Sequence, residues 1–541
     1  MTQKPTWRTT LISFLIALLV GVLLGSVVQT QINLAALQSM GVDISIMLRL
    51  ETTFNDIITF APIYAALFSV SFLLSQIAAV LISGWLGGRF QPLLSAGAAA
   101  VALLVTVKIV DSFAPMPTLI AATREVPGLI AMLVSAALAG WLYALMRRRV
   151  LNARRPRGFS GFALVLSVSG LVTAQLGVTS SAQAQEDPSA SQSYLIENLA
   201  EDLEHPWSLA FLPDGSMLVT ERPGRLRLLS AEGDTLVASL SGVPEVYASG
   251  QSGLFDVLLS AQFEDDQQVY LSYACGSEAA NHTCLAVATL ADTGLDNVEE
   301  IFRVQPAKQG DAHFGGRLAW LPDDTLILTL GDGFDYREQA QNLHNHIGTI
   351  VRLNRDGSVP EDNPFVGRDD ARPEIYSYGH RNPQGLVFDE ANQRLIAHEH
   401  GPRGGDEINI IEAGANYGWP IATGGLDYTG ARVTPFNEYP GTVLPLIEWT
   451  PSIAPSGMAI YEGELFPEWQ GDLLVGALVD KEVRRVRLSA DGSSAEDVEG
   501  LFGELDERIR DVRIGPEGAV YLLTDSLEGR VLRVTRQEIN N

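Results

Sequence analysis

Six of the eight histidines in this 541-residue chain fall between positions 313 and 400: His313, His344, His346, His380, His398 and His400. Three segments around them are dense in Gly, His, Arg and Asn: Asp311-Ala-His-Phe-Gly-Gly-Arg317, Ser377-Tyr-Gly-His-Arg-Asn-Pro-Gln384 and His398-Glu-His-Gly-Pro-Arg-Gly-Gly-Asp-Glu407. A histidine beside Gly-Gly in a loop suits a general base, because its ordinary pKa lies near neutrality. The plainer reading of His313 is a loop histidine bonded to backbone. His398 and His400 alternate, so on a strand they face one side. That spacing suits a transition metal, while the Gly, Pro, Asp and Glu that follow suit calcium held by hard oxygen ligands, backbone carbonyls included. Arg508 and Arg510 alternate as well. Two guanidinium groups on one strand face suit a polycarboxylate, and two surface arginines are the plainer reading. The chain has no GxGxxG after a strand, no Walker motif and no G-x-S-x-G. Nicotinamide, nucleotide and serine-hydrolase chemistry therefore have no support.

These segments sit between strands that recur. An apolar strand, a Pro-Asp-Gly type turn and a second apolar strand appear at Trp207–Thr220, Leu318–Leu330, Gly385–Ala397 and Val512–Leu523. Looser copies fill the gaps at Phe255–Tyr273 and Gly457–Leu478. Asp-Gly and Asp-Asp make tight turns, and the flanking runs make paired strands. A small β unit that cannot bury itself, repeated six times, predicts a six-bladed β-propeller over residues 193–541. A β-sandwich or a pair of barrels is the alternative all-β architecture.

The first 184 residues are of another kind. They carry 12 Lys/Arg against 5 Asp/Glu, whereas the remainder carries 25 against 59. So acidic a domain is not built to bind DNA, RNA or an anionic membrane face by charge. Apolar runs at Leu11–Val28, Ile58–Leu81, Leu93–Ile109 and Leu129–Leu145 are long enough to cross a membrane, and a weaker fifth runs from Gly161 to Thr179. Gln76 inside the second run reads as a helix-packing group, and Lys108 near the end of the third can snorkel. Lys4, Arg8, Arg89 and the cluster Arg147, Arg148, Arg149, Arg154, Arg155 and Arg157 fall on one side if the runs alternate. The positive-inside rule makes that side cytoplasmic. Five spans then place the acidic domain outside, in the periplasm of a bacterial inner membrane. Arg154–Arg157, the fifth run and Ser181-Ala182-Gln183-Ala184 also read as a signal peptide cut after Ala184. Retention as a fifth span and release by cleavage both export the domain, with 185–192 as a polar linker. Cys275 and Cys284 are compatible with a local disulfide outside the cytosol or with two small buried residues; with His282 they make a poor zinc site.

Several stretches together resemble the PQQ-dependent soluble-type glucose/aldose sugar dehydrogenases, which are six-bladed propellers. They are Gly250-Gln-Ser-Gly-Leu-Phe-Asp256, His313-Phe-Gly-Gly-Arg317, Tyr378-Gly-His-Arg-Asn-Pro-Gln-Gly385, Gly401-Pro402, Asp406-Glu-Ile-Asn409, Asn416-Tyr-Gly-Trp-Pro420, Pro451-Ser-Ile-Ala-Pro455 and Arg508-Ile-Arg-Asp511. The resemblance covers residues 193–535. It implies oxidation of aldoses to lactones, with PQQ and calcium as cofactors. It implies that His313 is the base, Gln251 lines the pocket, and Arg381 and Asn382 contact the quinone end. Gly401 and Pro402 would bind calcium through their carbonyls, and Arg508 and Arg510 would clamp PQQ carboxylates. Glu407 and the carbonyl of Tyr417 look like a second calcium site. The chain departs from the pattern at Ala312, where glucose-specific members carry Asp. It departs again at Val479, which stands at the family's Lys position; Lys481 two residues on is the candidate substitute. His400 stands where some members have Gln. The expected partners are a sugar, the membrane, and an electron acceptor that is a quinone or a cytochrome, with the helices as an anchor or, in addition, a quinone-facing surface. An exported propeller that binds without catalysing is the alternative function.

Overall fold

The computed structural model describes residues 7–86, 90–113, 118–152 and 194–537. Five helices come first: α1 (Trp7–Ser39), α2 (Ile46–Thr59), α3 (Ala61–Trp85), α4 (Gln91–Phe113) and α5 (Val126–Asn152). Four of them, all but α2, are long and apolar enough to cross a membrane. The first four predicted runs lie within or across these helices. The fifth run, the Ala184 cleavage site, the 185–192 linker, Lys4, Arg89 and the arginines beyond 152 lie outside the described residues.

The bundle packs through small residues and rings, as helices in lipid must without a hydrophobic drive between them. Gly21 and Gly25 of α1 let it close on α3, whose Phe60, Tyr64, Phe68 and Phe72 form a ladder of rings 5.1–5.6 Å apart. A side chain at Gly25 would run into the Tyr64 ring. Gly25→Leu is therefore expected to cost about 1–3 kcal/mol by overpacking. The check is the temperature at which the detergent-solubilised chain loses its monodisperse gel-filtration peak. Gln76 is buried and donates to the Ser95 carbonyl of α4 at 3.3 Å, the packing role expected of it.

Helix α2 has no counterpart among the predicted runs. Ser45 caps it by accepting from the Leu48 amide at 3.2 Å. Ile46, Met47, Leu50, Phe54 and Ile58 are exposed, while Thr52 and Asp56 are buried. One apolar outer face on a 14-residue helix is the pattern of a segment lying in the membrane–water interface.

The rest is a six-bladed antiparallel β-propeller. Its four-stranded sheets span 206–237, 254–303, 315–378, 383–449, 455–501 and 509–536. The strand Tyr194–Leu203 pairs with Gly529–Arg536 and completes the last blade, so the start of the domain closes the ring against its end. Each predicted hairpin corresponds to the two inner strands of one blade. Separate blades are tied together around the axis by polar groups. Arg317 reaches Asp511 at 2.9 Å, Arg513 reaches Asp256 at 3.0 Å, and Ser208 donates to Asp256 at 2.5 Å. Cys275 and Cys284 form a disulfide between adjacent strands of the second blade. Joined to each other, the two sulfurs are not thiolate ligands for a zinc site with His282, whose Nδ1 lies 2.6 Å from the Val304 carbonyl.

Bundle and propeller meet at one end of the helices. Ala431 joins the apolar core around Phe60 and Ala61, and Ile421 packs with Leu34, Leu37, Val42 and Ile44. Asp56 accepts from the Arg432 amide at 2.9 Å, and Asn33 donates to the Arg432 carbonyl at 3.0 Å. This is the end at which α5 begins. Arg147 and Arg148 lie near its other end, about 30 Å away at 1.5 Å per residue.

Candidate active site

His313 lies at the start of the third blade's innermost strand with φ +52, a left-handed conformation that costs energy for a residue with a side chain. Its surroundings hold it there. Gln251 Oε1 accepts from the His313 amide at 2.9 Å. Buried Lys308 donates to the Ala312 carbonyl at 3.1 Å and lies 3.5 Å from the centre of the Phe314 ring, so it grips both neighbours of His313. Burial pushes the Lys308 amine down to about 7, against the charges of Asp311 and Asp332.

The imidazole is oriented by Asp332. Its Nδ1 lies 2.6 Å from Asp332 Oδ1. That carboxylate is itself fixed, accepting from the Phe334 amide at 2.8 Å and from Trp419 Nε1 at 2.7 Å. With Nδ1–H committed to Asp332, Nε2 is left with its lone pair. His313, Asp332, Phe334, Arg381, Trp419 and Tyr428 line one small cavity of about 30 Å³. Burial foremost, and then the Arg381 charge, hold His313 below its ordinary pKa, with Asp332 pulling the other way. Asp332 stays below the usual carboxylate range despite its burial, because His313 and Arg381 favour its charge. The pair can therefore take up a proton on Nε2 near neutral pH.

A second feature is an excess of positive charge beside the propeller axis. Asp525 accepts from Arg510 at 2.8 Å and from Arg508 at 3.2 Å, and lies 2.8 Å from His205 Nδ1. Burial works against ionisation of Asp525, yet Arg510, His205 and Arg508 hold its carboxyl far below the usual range. Arg222 adds a third guanidinium near the same carboxylate. One acid among three arginines leaves a cradle that fits a ligand with several carboxylates. Lys481 does not share in this bonding: its ammonium pairs with Asp506 at 2.8 Å where both are exposed, and Val479 is exposed as well.

The His398-x-His400 pair does not gather a metal. His398 is buried, with neither ring nitrogen bonded to the protein, and burial pushes it down to about 3. His400 directs Nε2 to the Pro455 carbonyl at 2.6 Å. Among the described residues, the one close cluster of metal-type ligands is Cys275, Cys284 and Glu300, and its sulfurs are spent on the disulfide.

A family profile described as Glucose / Sorbosone dehydrogenase matches residues 203–533. The chain belongs to this family. It is 42% identical over 346 residues to an aldose sugar dehydrogenase of Escherichia coli (strain K12), covering 63% of this chain and 92% of that one. The apo crystal structure of the soluble aldose sugar dehydrogenase from Escherichia coli is 40% identical with a TM-score of 0.62, covering 64% of this chain and 100% of that one. The PQQ-bound aldose sugar dehydrogenase from Streptomyces coelicolor is 28% identical with a TM-score of 0.50, covering 63% and 99%. Membership in this dehydrogenase family supports oxidoreductase activity on sugar substrates. All five helices lie outside the matched residues.

Two places in this chain have the donor chemistry for calcium. The Gly401 carbonyl already faces a cation, accepting from Arg381 Nη1 at 2.7 Å; the same nitrogen reaches the His400 carbonyl at 3.0 Å. Asp406 accepts from the Gly401 amide at 2.8 Å and so fixes the loop that carries this carbonyl and Pro402. The other place is a row of carboxylates. Glu399, Glu407 and Glu448 stand opposite one another on three successive strands of the fourth blade. Glu399 has His380 at 2.9 Å, whereas Glu407 accepts from Asn409 Nδ2 at 3.2 Å, a neutral donor. The Tyr417 ring stacks on His380 with centroids 4.7 Å apart, which brings its residue to the same place. Asn382, buried, accepts from the Gly315 amide at 3.1 Å and so braces the loop around His313.

Burial foremost, and then the charges of Glu399 and Glu448, push the Glu407 carboxyl well above its ordinary 4.5. An acid with a raised folded pKa leaves stability intact below 4.5 and removes it as pH rises towards the folded value. A bound cation reverses that loss, by about 4 kcal/mol at a thousandfold excess over its dissociation constant. Glu407→Gln is therefore expected to raise the Tm of the calcium-free chain at pH 7 by several degrees and to shrink the calcium increment. Calorimetry with chelator and with calcium checks this; an undiminished calcium response would place the ion elsewhere.

Asp332 and Asp525 were not among the residues expected from the sequence. Each ends or follows an apolar strand of the repeat, Asp332 within Leu330-Gly-Asp-Gly333 and Asp525 within Leu523-Thr-Asp525. An acid at the same strand end in two repeats is the signal that could have found them.

Proposed function

We propose that this chain oxidises aldose sugars to lactones at His313, using PQQ and calcium, in a propeller held at the outer face of the bacterial inner membrane. The observation that carries the reading is the His313–Asp332 pair, with Trp419 and the Phe334 amide fixing Asp332; the arginines around Asp525 support it.

His313 Nε2 takes the proton of the anomeric hydroxyl. Asp332 stabilises the imidazolium that forms and keeps the ring in the tautomer that can accept. When bound, PQQ supplies a quinone that accepts the hydride from C1, and calcium supplies a Lewis acid that polarises it. Arg508 and Arg510 would hold the PQQ carboxylates, Arg381 and Asn382 its quinone end, and Gly401 and Pro402 the calcium. Lys481 would have to leave Asp506 to join them. Gln251 acts through His313, holding its amide. Glu407 and the Tyr417 carbonyl would hold a second, structural calcium.

The placement rests on the same physics as the basic flanks. The propeller packs against the helix ends opposite Arg147 and Arg148, and positive flanks mark the cytoplasmic side. The disulfide suits an oxidising compartment. Electrons then pass to a quinone or a cytochrome.

The test is reconstitution of the full chain in detergent with calcium and PQQ, followed by dye reduction against a panel of aldoses and simple alcohols. Aldose-dependent reduction is expected. Absence of PQQ binding by absorbance, together with no turnover, would leave a non-catalytic propeller as the better reading.

A further inference from the structure

The cavity over His313 is not walled by the propeller alone. Thr118, Ala121 and Arg124, from the segment between α4 and α5, line it together with His313 and Tyr428. The segment is fastened down. Thr118 donates to Asp335 at 3.0 Å, and Arg124 donates to Glu338 at 2.7 and 3.1 Å and to the Asp335 carbonyl at 3.1 Å. Arg337, also in the cavity wall, donates to Asn33 of α1 at 2.9 Å. Arg124 has a further property. Two wider clefts lie along the seam between bundle and propeller, and Arg124 lines both of them as well as the inner cavity. Arg124 is the one lining residue that the three spaces have in common.

The enclosed space over His313 is about 30 Å³, against about 890 and 430 Å³ in the two clefts that Arg124 also lines. The Thr118–Arg124 segment therefore stands close over His313, and a substrate reaching outward from His313 past Arg124 would have to displace it. We propose that the Thr118–Arg124 segment of the helical region is a specificity-determining wall of the sugar site, with Arg124 shutting out substrates longer than one ring. This rests on the aldose reading for the identity of the substrate, but the wall itself does not.

Two measurements on the full chain separate the two. In the first, Val433→Cys places a single free thiol in the cavity wall, since the natural cysteines are joined to each other. Its labelling rate is measured with a small methanethiosulfonate and with a bulky polymer-linked maleimide, without PQQ, calcium or sugar. Adding Arg124→Ser is expected to raise the bulky rate at least tenfold relative to the small one, and Arg124→Lys, which keeps length and charge, is expected to leave the ratio near that of Val433→Cys alone. An unchanged ratio in Arg124→Ser, or full opening by Arg124→Lys, overturns the wall.

In the second, kcat/KM of the calcium- and PQQ-loaded enzyme is compared for glucose and maltose. A preference of at least tenfold for glucose is expected, falling towards parity in Arg124→Ser. Equal use of both sugars by the unmodified chain overturns the specificity role. Expected labelling with no aldose turnover at all would instead sink the aldose reading while the wall stands.

Discussion

Asp332→Asn is expected to lower kcat by about 10³–10⁴-fold while PQQ is still retained by the protein. The carboxylate accepts from His313 Nδ1 at 2.6 Å, and this is what leaves Nε2 free to take a proton. An amide in its place can donate to Nδ1, which puts the ring proton on Nε2, in the wrong position for a base. His313→Ala should cost as much. The double variant should cost little more, because groups that act as one unit are not additive. The pH profile is a second readout. Neutral His313 is the active form, and burial and Arg381 hold its pKa below the ordinary 6.5. The acid limb of kcat/KM should therefore lie below 6.5, with activity kept as pH falls towards it. Asp332 pulls the His313 pKa up, so Asp332→Asn should move the limb lower still. An acid limb at or above 7, or turnover that survives His313→Ala, would displace His313 as the base.

Removing both Arg508 and Arg510 is expected to weaken PQQ binding by about 10²–10⁴-fold. Each charge-assisted hydrogen bond contributes about 1.5–3 kcal/mol, and about 1.4 kcal/mol is tenfold in affinity. Equilibrium dialysis of the Arg508→Ala/Arg510→Ala chain against PQQ measures it. The two arginines share Asp525 in the unliganded protein, so part of their charge is already answered, and the single variants should each show less than half of the effect. Lys481→Ala should change PQQ affinity less than threefold, because its ammonium is paired with Asp506 in the open. Unaltered PQQ binding by the double variant would reduce the arginine cluster to an ion pair that tightens the last blade.

The site was legible to the extent that it is built from short segments. His313, Arg381, Asn382, Gly401, Pro402, Arg508 and Arg510 all sit in loops or at strand ends whose composition stands out locally. Glu407 stood out as a carboxylate, but its row with Glu399 and Glu448 depends on strand register. Gln251 was expected to line the pocket; its amide oxygen holds the His313 backbone across 62 residues of chain. The inner hairpin of every blade could be read because both of its strands are buried and apolar. The outer strands could not. Gly294–Arg303 is largely exposed and Ala495–Leu501 only half-buried, so water rather than a core dictates many of their side chains and the alternating pattern fades. The short helix α2 escaped for a similar reason, having too few apolar residues to read as a span.

The two-part build, the helices that can cross a membrane, the repeat that makes six blades and the residue types of the site follow from the sequence by itself, because each depends on periodicity or on neighbours within a few positions. What the tertiary structure decided lies between residues far apart. It set Asp332 behind His313, gathered three arginines on Asp525, closed the ring with Tyr194–Leu203, and laid Arg124 on Glu338 across 214 positions so that the membrane region roofs the site. None of these contacts leaves a local trace, since a single charged residue in a loop reads the same whether its partner is water or a carboxylate two hundred residues on.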